Sequence, residues 1–141
     1  MKLLFSLFLF ICFVGQSAAE SCFMPNSFVG LTLLVRVNGN YSPENPAAGT
    51  LHEITFSQLS YKSTVMNTRE SVEGSYRYKR LDRNLAQLNI REGAGDELSL
   101  YTETFVCETN TTGYFIFSQT QGIIKPDIRQ NTGIYIIRSR Q

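Results

Sequence analysis

Residues 74–95, GSYRYKRLDRNLAQLNIREGAG, contain two runs of alternating residue type and decide the fold of this chain. Residues 82–84, Asp-Arg-Asn, predict a three-residue hairpin loop that ends with Asn84 in the left-handed conformation, which asparagine tolerates. A loop of even length would set both tyrosines against polar residues, which sheets with one buried face avoid. The predicted pairs are Tyr76–Ile90 and Tyr78–Leu88 on one face, and Arg77–Asn89 and Lys79–Gln87 on the other.

The glycine-rich break that follows predicts a second hairpin. A five-residue loop over residues 92–96 would place Ile90 opposite Leu98 and Leu88 opposite Leu100. The apolar row would then continue across a third strand. Agreement between two independent breaks favours an antiparallel meander with one buried face.

The rest of the chain also predicts strands. Val, Ile, Thr, Tyr and Phe are abundant, alternation is frequent, and turn formers separate the runs. The predicted fold is all-β, a single antiparallel meander of about eight strands that closes into a small barrel. The predicted strands lie near residues 28–37, 51–57, 59–66, 71–80, 85–91, 97–106, 114–119 and 133–138.

The segment GSYRYKRLDRNLAQLNI resembles a pattern of secreted bacterial β-domains, in which Gly-Ser/Thr-Tyr-x-Tyr precedes a short turn and then Asn-x-Ala-x-Leu. The segments LSLYTETF, TGYFIF and TGIYII occupy the places of the strands that follow in such domains. The resemblance covers most of residues 28–138 and implies a small, calycin-like barrel of an exported protein. It implies neither an activity nor any catalytic residue.

The N-terminal segment predicts export. Residues 1–19 combine the basic Lys2, an apolar run and small residues before a cleavage point, as in a secretory signal peptide. The alternatives are an N-terminal membrane anchor and a lipoprotein signal ending at Cys22. Removal of the segment leaves residues 20–141 as one β-barrel domain, secreted to the exterior or to a bacterial periplasm. No later apolar run is long enough to predict stable membrane insertion.

Two cysteines, Cys22 and Cys107, remain after the signal segment. An even number of cysteines in an exported protein predicts a disulfide, which for so long a loop would stabilise the fold by roughly 4 kcal/mol. Two free thiols are the alternative, and a metal site is disfavoured because neither cysteine has further soft ligands nearby. Asn40 and Asn110 fit the pattern for N-glycosylation, which applies if the source is eukaryotic.

Charge excludes one class of partner. The whole chain carries 13 basic and 12 acidic side chains, without a basic tail or stripe, so nucleic-acid binding is not expected. The basic residues around Tyr76 and Tyr78 alternate with the tyrosines, which predicts buried rings and a solvated cationic face.

Candidate catalytic groups are few. His52 is the only histidine, and its strand neighbour Glu53 should point to the opposite face, so His52 is expected to be a surface residue at the end of a strand. Glu92, Asp96 and Glu97 surround the glycine break and are expected to be solvated turn residues, with carboxylate catalysis or calcium binding as the alternative. No cofactor or metal is predicted.

These observations favour a secreted, non-enzymatic barrel that binds an unidentified protein or a small apolar ligand. One alternative is an inhibitor or immunity-type protein that blocks an enzyme with a loop, and NGNYSPENPAAG and GIIKPDIRQNTG are the candidate loops. A structural matrix component is a second alternative. A small barrel enzyme that uses Glu53, Glu92 or Asp96 is a third.

Overall fold

The computed structural model describes residues 21–139, and within that range the chain forms eight antiparallel strands that close into a barrel. Each strand pairs with the next along the chain, and β8 pairs with β1. The predicted all-β meander barrel is confirmed, whereas the predicted signal peptide lies outside the described residues. The strands are β1 (Leu31–Val37), β2 (Leu51–Phe56), β3 (Ser60–Val65), β4 (Ser71–Arg80), β5 (Leu85–Glu92), β6 (Ser99–Cys107), β7 (Thr112–Gln121) and β8 (Arg129–Ser139).

The β4–β5 hairpin has the register that the alternation predicts. All four predicted pairs form, and the Leu81 N–H donates to the Leu85 carbonyl at 2.9 Å. Tyr76 is buried and Tyr78 half-buried, whereas Arg77 is exposed. The predicted orientation of the tyrosines is therefore confirmed.

The conformation predicted for Asn84 in the same turn is wrong. Among residues 21–139, Arg69 is the only non-glycine residue with a positive φ. The turn is held in another way, because the Asp82 carboxylate accepts the Arg83 N–H at 2.6 Å. The loop length is thus as predicted, but a side-chain acceptor replaces the left-handed residue.

The predicted register between β5 and β6 is also wrong, by three residues. Ile90 pairs with Tyr101 rather than Leu98, and Leu88 pairs with Glu103 rather than Leu100. The connection spans residues 93–98 and includes a short 3₁₀ turn, Gly95–Glu97. An odd shift turns every side chain of β6 to the opposite face of the sheet, which brings Glu103 into the barrel.

Residues 22–30 cross one end of the barrel and close it. Met24 and Phe28 of this segment are 1% and 0% exposed. The Phe28 ring lies 4.8–5.4 Å from the rings of three strand residues, so it joins the barrel core. Those residues are Phe56, Tyr78 and Phe105.

The disulfide fastens this segment to the barrel. The sulfur atoms of Cys22 and Cys107 are bonded and the two Cα atoms are 6.0 Å apart, so the predicted disulfide is confirmed. The Tyr78 hydroxyl also donates to the Pro25 carbonyl, and the Met24 N–H donates to the Arg83 carbonyl at 2.9 Å.

The interior of the barrel has two unlike halves. The half next to residues 22–30 is a packed apolar core. The opposite half lies beneath the connections 38–50, 66–70, 93–98 and 122–128, and several polar side chains point into it. The core of the closed half contains Leu33, Ala86, Leu88, Phe105, Phe115 and Tyr135.

None of the helical segments within residues 21–139 could span a membrane.

Candidate functional site

The open half of the barrel contains a cavity of about 290 Å³. This volume is near the lower limit of about 300 Å³ that is typical of small-molecule pockets. The wall from β1 to β4 is mainly apolar, with Val37, Ile54, Val65 and Val72, although His52 and Ser63 also lie on it. The wall from β5 to β8 carries most of the polar groups, so the two sides of the cavity differ in chemistry.

Two tyrosines hold a glutamate at the polar wall. The Tyr101 hydroxyl donates to Glu92 Oε1 at 2.6 Å, and the Tyr61 hydroxyl donates to the same oxygen. The two hydroxyl oxygens are 2.7 Å apart. Burial is the largest cause that raises the pKa of Tyr61 well above its ordinary value, and the Glu92 charge raises it further. Burial likewise raises the pKa of Tyr101, so both phenols remain protonated donors.

Gly74 makes this cluster possible. It lies between Tyr61 and Glu92 in the sheet, paired with each of them. A Cβ atom at this position would lie 2.9 Å from Tyr61 Cε1 and 3.0 Å from Glu92 Cγ. The absence of a side chain therefore allows the phenol of β3 to reach across β4 to the carboxylate of β5.

Glu103 is the deepest carboxyl group of the cavity. It is 8% exposed, and burial together with the charge of Glu92 raises its pKa from 4.5 to about 7. No hydrogen bond from the described residues contributes to this shift. Since an unpartnered buried carboxylate is costly, Glu103 is largely protonated in slightly acidic solution and can donate a hydrogen bond into the cavity.

Arg129 supplies the positive charge of the polar wall. Its Nε and Nη2 atoms donate to Gln119 Oε1 at 3.2 and 3.1 Å, and the guanidinium lies 5.2 Å from the Phe117 ring centre. Its Nη1 atom is buried and has no hydrogen-bond partner in residues 21–139. Asn131, two residues along the same strand, likewise has a buried Oδ1 atom without a partner in that range.

Two connections at the open end are fastened to these polar residues. The Gln119 amide donates to the carbonyls of Ile124, Pro126 and Asp127 at 3.0–3.3 Å, which fixes the β7–β8 connection. The Asn131 amide donates to Asn45 Oδ1 at 3.2 Å, which fixes the β1–β2 connection. Both candidate inhibitory loops, NGNYSPENPAAG and GIIKPDIRQNTG, are thus hydrogen-bonded to residues that line the cavity.

The prediction that His52 is a surface residue is wrong. Its ring is partly buried at the cavity wall, where Nε2 lies 2.7 Å from Thr50 Oγ1 and Nδ1 lies 3.2 Å from Ser63 Oγ. Burial lowers the pKa of His52 from 6.5, which favours a neutral ring. Glu53 does not line the cavity, in keeping with its predicted orientation away from His52.

The three acidic residues around the glycine break separate. Glu92 faces the cavity, which corrects its interpretation as a solvated turn residue, whereas Asp96 and Glu97 are exposed as expected. Asn40 and Asn110 have exposed side chains in connections, and their glycosylation stays a prediction. No group of three potential His, Cys, Asp or Glu metal ligands occurs in residues 21–139.

Sequence reasoning missed Glu103, Arg129 and Asn131. The predicted register places Leu98 and Leu100 on the inner face and so implies that Glu103 is on the outer face, although Phe105 and Cys107 have the same alternation as Glu103. The disulfide requirement that Cys107 face the chain segment at Cys22 was the signal that could have corrected this register. Arg129 precedes the predicted start of the last strand, so alternation gave it no face.

Comparison of the chain with protein-family models, curated proteins and solved structures finds no match. The resemblance to secreted bacterial β-domains therefore remains a prediction, although the barrel that it implies is present.

Proposed function

We propose that this protein is a secreted, non-enzymatic binding protein that holds a small molecule in the open half of its barrel. The observation that carries the proposal is that Arg129 and Asn131, which line the cavity, each have a buried polar atom without a hydrogen-bond partner in residues 21–139. A sealed core avoids such groups because each costs about 1–3 kcal/mol when it lacks a hydrogen bond. A bound molecule with matching polar atoms would offset that cost.

The distribution of packing supports the same conclusion. Aromatic side chains fill the closed half around Phe28, and the disulfide holds that end in place. The open half is instead lined by Val, Ile, Tyr, Glu and Arg side chains around free volume. A rigid scaffold with one apolar pocket and a few convergent polar groups is typical of small-molecule sites.

Native mass spectrometry of protein purified from the organism that produces it tests the proposal. We expect a mass excess that survives gentle ionisation and disappears when the protein is denatured. Recovery of the bare polypeptide, with only covalent modifications, would contradict the proposal.

A variant that obstructs the cavity localises the bound molecule. Val72 lines the cavity and is 51% exposed at its mouth, so Val72→Trp should reduce the retained mass without disturbing the core. Leu59 is 76% exposed in the β2–β3 connection at the closed end, so Leu59→Trp is the matched control. Equal retention by both variants would place the molecule elsewhere.

A second candidate function, inhibition of an enzyme by a loop, is favoured by one observation. The β7–β8 connection exposes three isoleucines, Ile123, Ile124 and Ile128, of which Ile128 is 78% exposed. Affinity purification would then recover one enzyme in stoichiometric amount, and Ile128→Asp would abolish that complex. Retention of the complex by Ile128→Asp, with loss in Leu59→Asp, would argue against this loop.

A further inference from the structure

We propose that the molecule held in the cavity is a small amphiphilic carboxylic acid. Its carboxylate would accept a hydrogen bond from Arg129 Nη1, and a hydroxyl or amide N–H next to the carboxylate would donate to Asn131 Oδ1. This inference rests on the proposed binding function and adds the chemical class of the ligand.

The charge of Arg129 favours an anion. A guanidinium keeps its proton in proteins, and this one donates through Nε and Nη2 to a neutral amide oxygen rather than to a carboxylate. Within residues 21–139 the direct ion pairs are Lys62–Glu73 and Lys125–Asp127, so Arg129 has only the more distant charge of Glu92 acting on it. The remaining donor, Nη1, is buried, lacks an acceptor within residues 21–139 and belongs to a residue that lines the cavity, so a ligand carboxylate that reached it would provide a charged acceptor.

The two carboxyl groups of the wall do not favour a cationic ligand. Glu92 already accepts hydrogen bonds from two phenols. Glu103 has a raised pKa, so in neutral or slightly acidic solution a large fraction of it is a hydrogen-bond donor rather than a charged acceptor. An ammonium group in this cavity would also be repelled by Arg129.

Asn131 indicates that the ligand has a hydrogen-bond donor next to its carboxylate. Because side chains two residues apart on a strand share a face, Asn131 Oδ1 and the Arg129 side chain line the same wall. The Asn131 amide nitrogen is used by Asn45, which leaves Oδ1 as an acceptor without a donor. A donor adjacent to the carboxylate would satisfy it.

The opposite wall indicates the chemistry and size of the rest of the ligand. Val37, Ile54, Val65 and Val72 present hydrocarbon to the cavity, and Ile123 and Ile124 border it from the β7–β8 connection. The volume of about 290 Å³ corresponds to roughly ten water molecules, so a short aliphatic or single-ring body fits better than a long chain.

Calorimetric titration with four probes that share one hydrocarbon chain tests the inference: octanoate, its α-hydroxy derivative, octanol and octylamine. We expect the wild-type protein to bind both acids, the hydroxy acid more tightly, and the alcohol and amine at least about tenfold more weakly than octanoate. Arg129→Gln should weaken both acids about tenfold or more and leave octanol unchanged. Arg138→Gln, an exposed arginine on the same strand, should leave all four affinities unchanged.

The comparison among probes uses the wild-type protein and so does not depend on the folding of a variant. Octanol or octylamine binding as tightly as octanoate, with sensitivity to Val72→Trp, would overturn the acid preference and leave the binding function standing. Unchanged affinity of Arg129→Gln for octanoate would overturn the assigned anchor. Binding of none of the probes would also overturn the inference, while the mass measurement on natural protein decides the binding function separately.

Discussion

Replacement of Glu103 by glutamine should remove a pH-dependent penalty from the stability of the barrel. The carboxyl group is 8% exposed and its pKa is raised from 4.5 to about 7 in the folded protein. The folded state therefore binds this proton more tightly than the unfolded state. The resulting stabilisation is complete below about pH 4.5 and is lost as the pH rises through about 7.

The magnitude follows from the difference between the two pKa values. Each pKa unit corresponds to about 1.4 kcal/mol, so the raised value of Glu103 corresponds to a loss of about 3 kcal/mol between acidic and alkaline solution. Glu103→Gln has nearly the same shape and no charge to bury. We expect it to match the wild-type free energy of unfolding near pH 4 and to exceed it by about 3 kcal/mol near pH 9.

Urea unfolding of the disulfide-bonded protein over this pH range provides the assay. The quantity to compare is the difference between variant and wild type, because contributions common to both proteins cancel. One such contribution comes from His52, whose pKa is lowered by burial. It has the opposite sign, because the stability that the neutral His52 ring contributes is lost as the pH falls. Glu53→Gln, a carboxyl group that does not line the cavity, is the control and should not reproduce the divergence. Parallel pH profiles for wild type and Glu103→Gln would refute the assignment of a buried, raised-pKa carboxyl group.

Three further changes test the scaffold by urea unfolding. Replacing Cys22 and Cys107 together by serine should lower the free energy of unfolding by roughly 4 kcal/mol, since the bond closes a loop of sequence separation 85, and an unchanged midpoint would contradict this. Phe28→Ala should cost about 3–5 kcal/mol by opening a cavity in the closed half, and a loss below about 1 kcal/mol would show that the segment does not complete the core. Gly74→Ala should cost about 1–3 kcal/mol because its Cβ would lie 2.6 Å from the Arg91 carbonyl oxygen and 2.9 Å from the Tyr61 ring, whereas the exposed Ser75→Ala should be nearly neutral. Equal effects of these last two would argue against close packing at Gly74.

The two hairpins around residues 85–92 illustrate how far alternation can be followed. In β4 the tyrosines alternate with basic residues, so only one register buries apolar groups, and the prediction was correct. In residues 98–107 both faces carry apolar residues, including Leu98 and Leu100 on one and Tyr101 and Phe105 on the other. Alternation alone could not distinguish these faces, and an assumed five-residue loop selected the wrong one.

The candidate site escaped prediction for a related reason. The sequence pattern predicts that Glu92 is a turn residue, whereas its side chain occupies the last inward position of β5. Arg129 and Glu92 are 37 positions apart in the chain and contribute to one cavity because the strands between them form part of a closed barrel. Their proximity depends on how many strands close the barrel and with what stagger, which local patterns do not encode.

By itself, the sequence determined the strand-rich antiparallel meander, the disulfide pair and the inward tyrosines of β4. These features depend on local alternation, turn chemistry and cysteine count, which can be read from neighbouring residues. Tertiary structure alone decided that one half of the interior is packed and the other open. It also decided that Glu103, Arg129 and Asn131 share the open half, because closure of the barrel brings polar residues from distant strands around a volume that residues 22–30 do not fill.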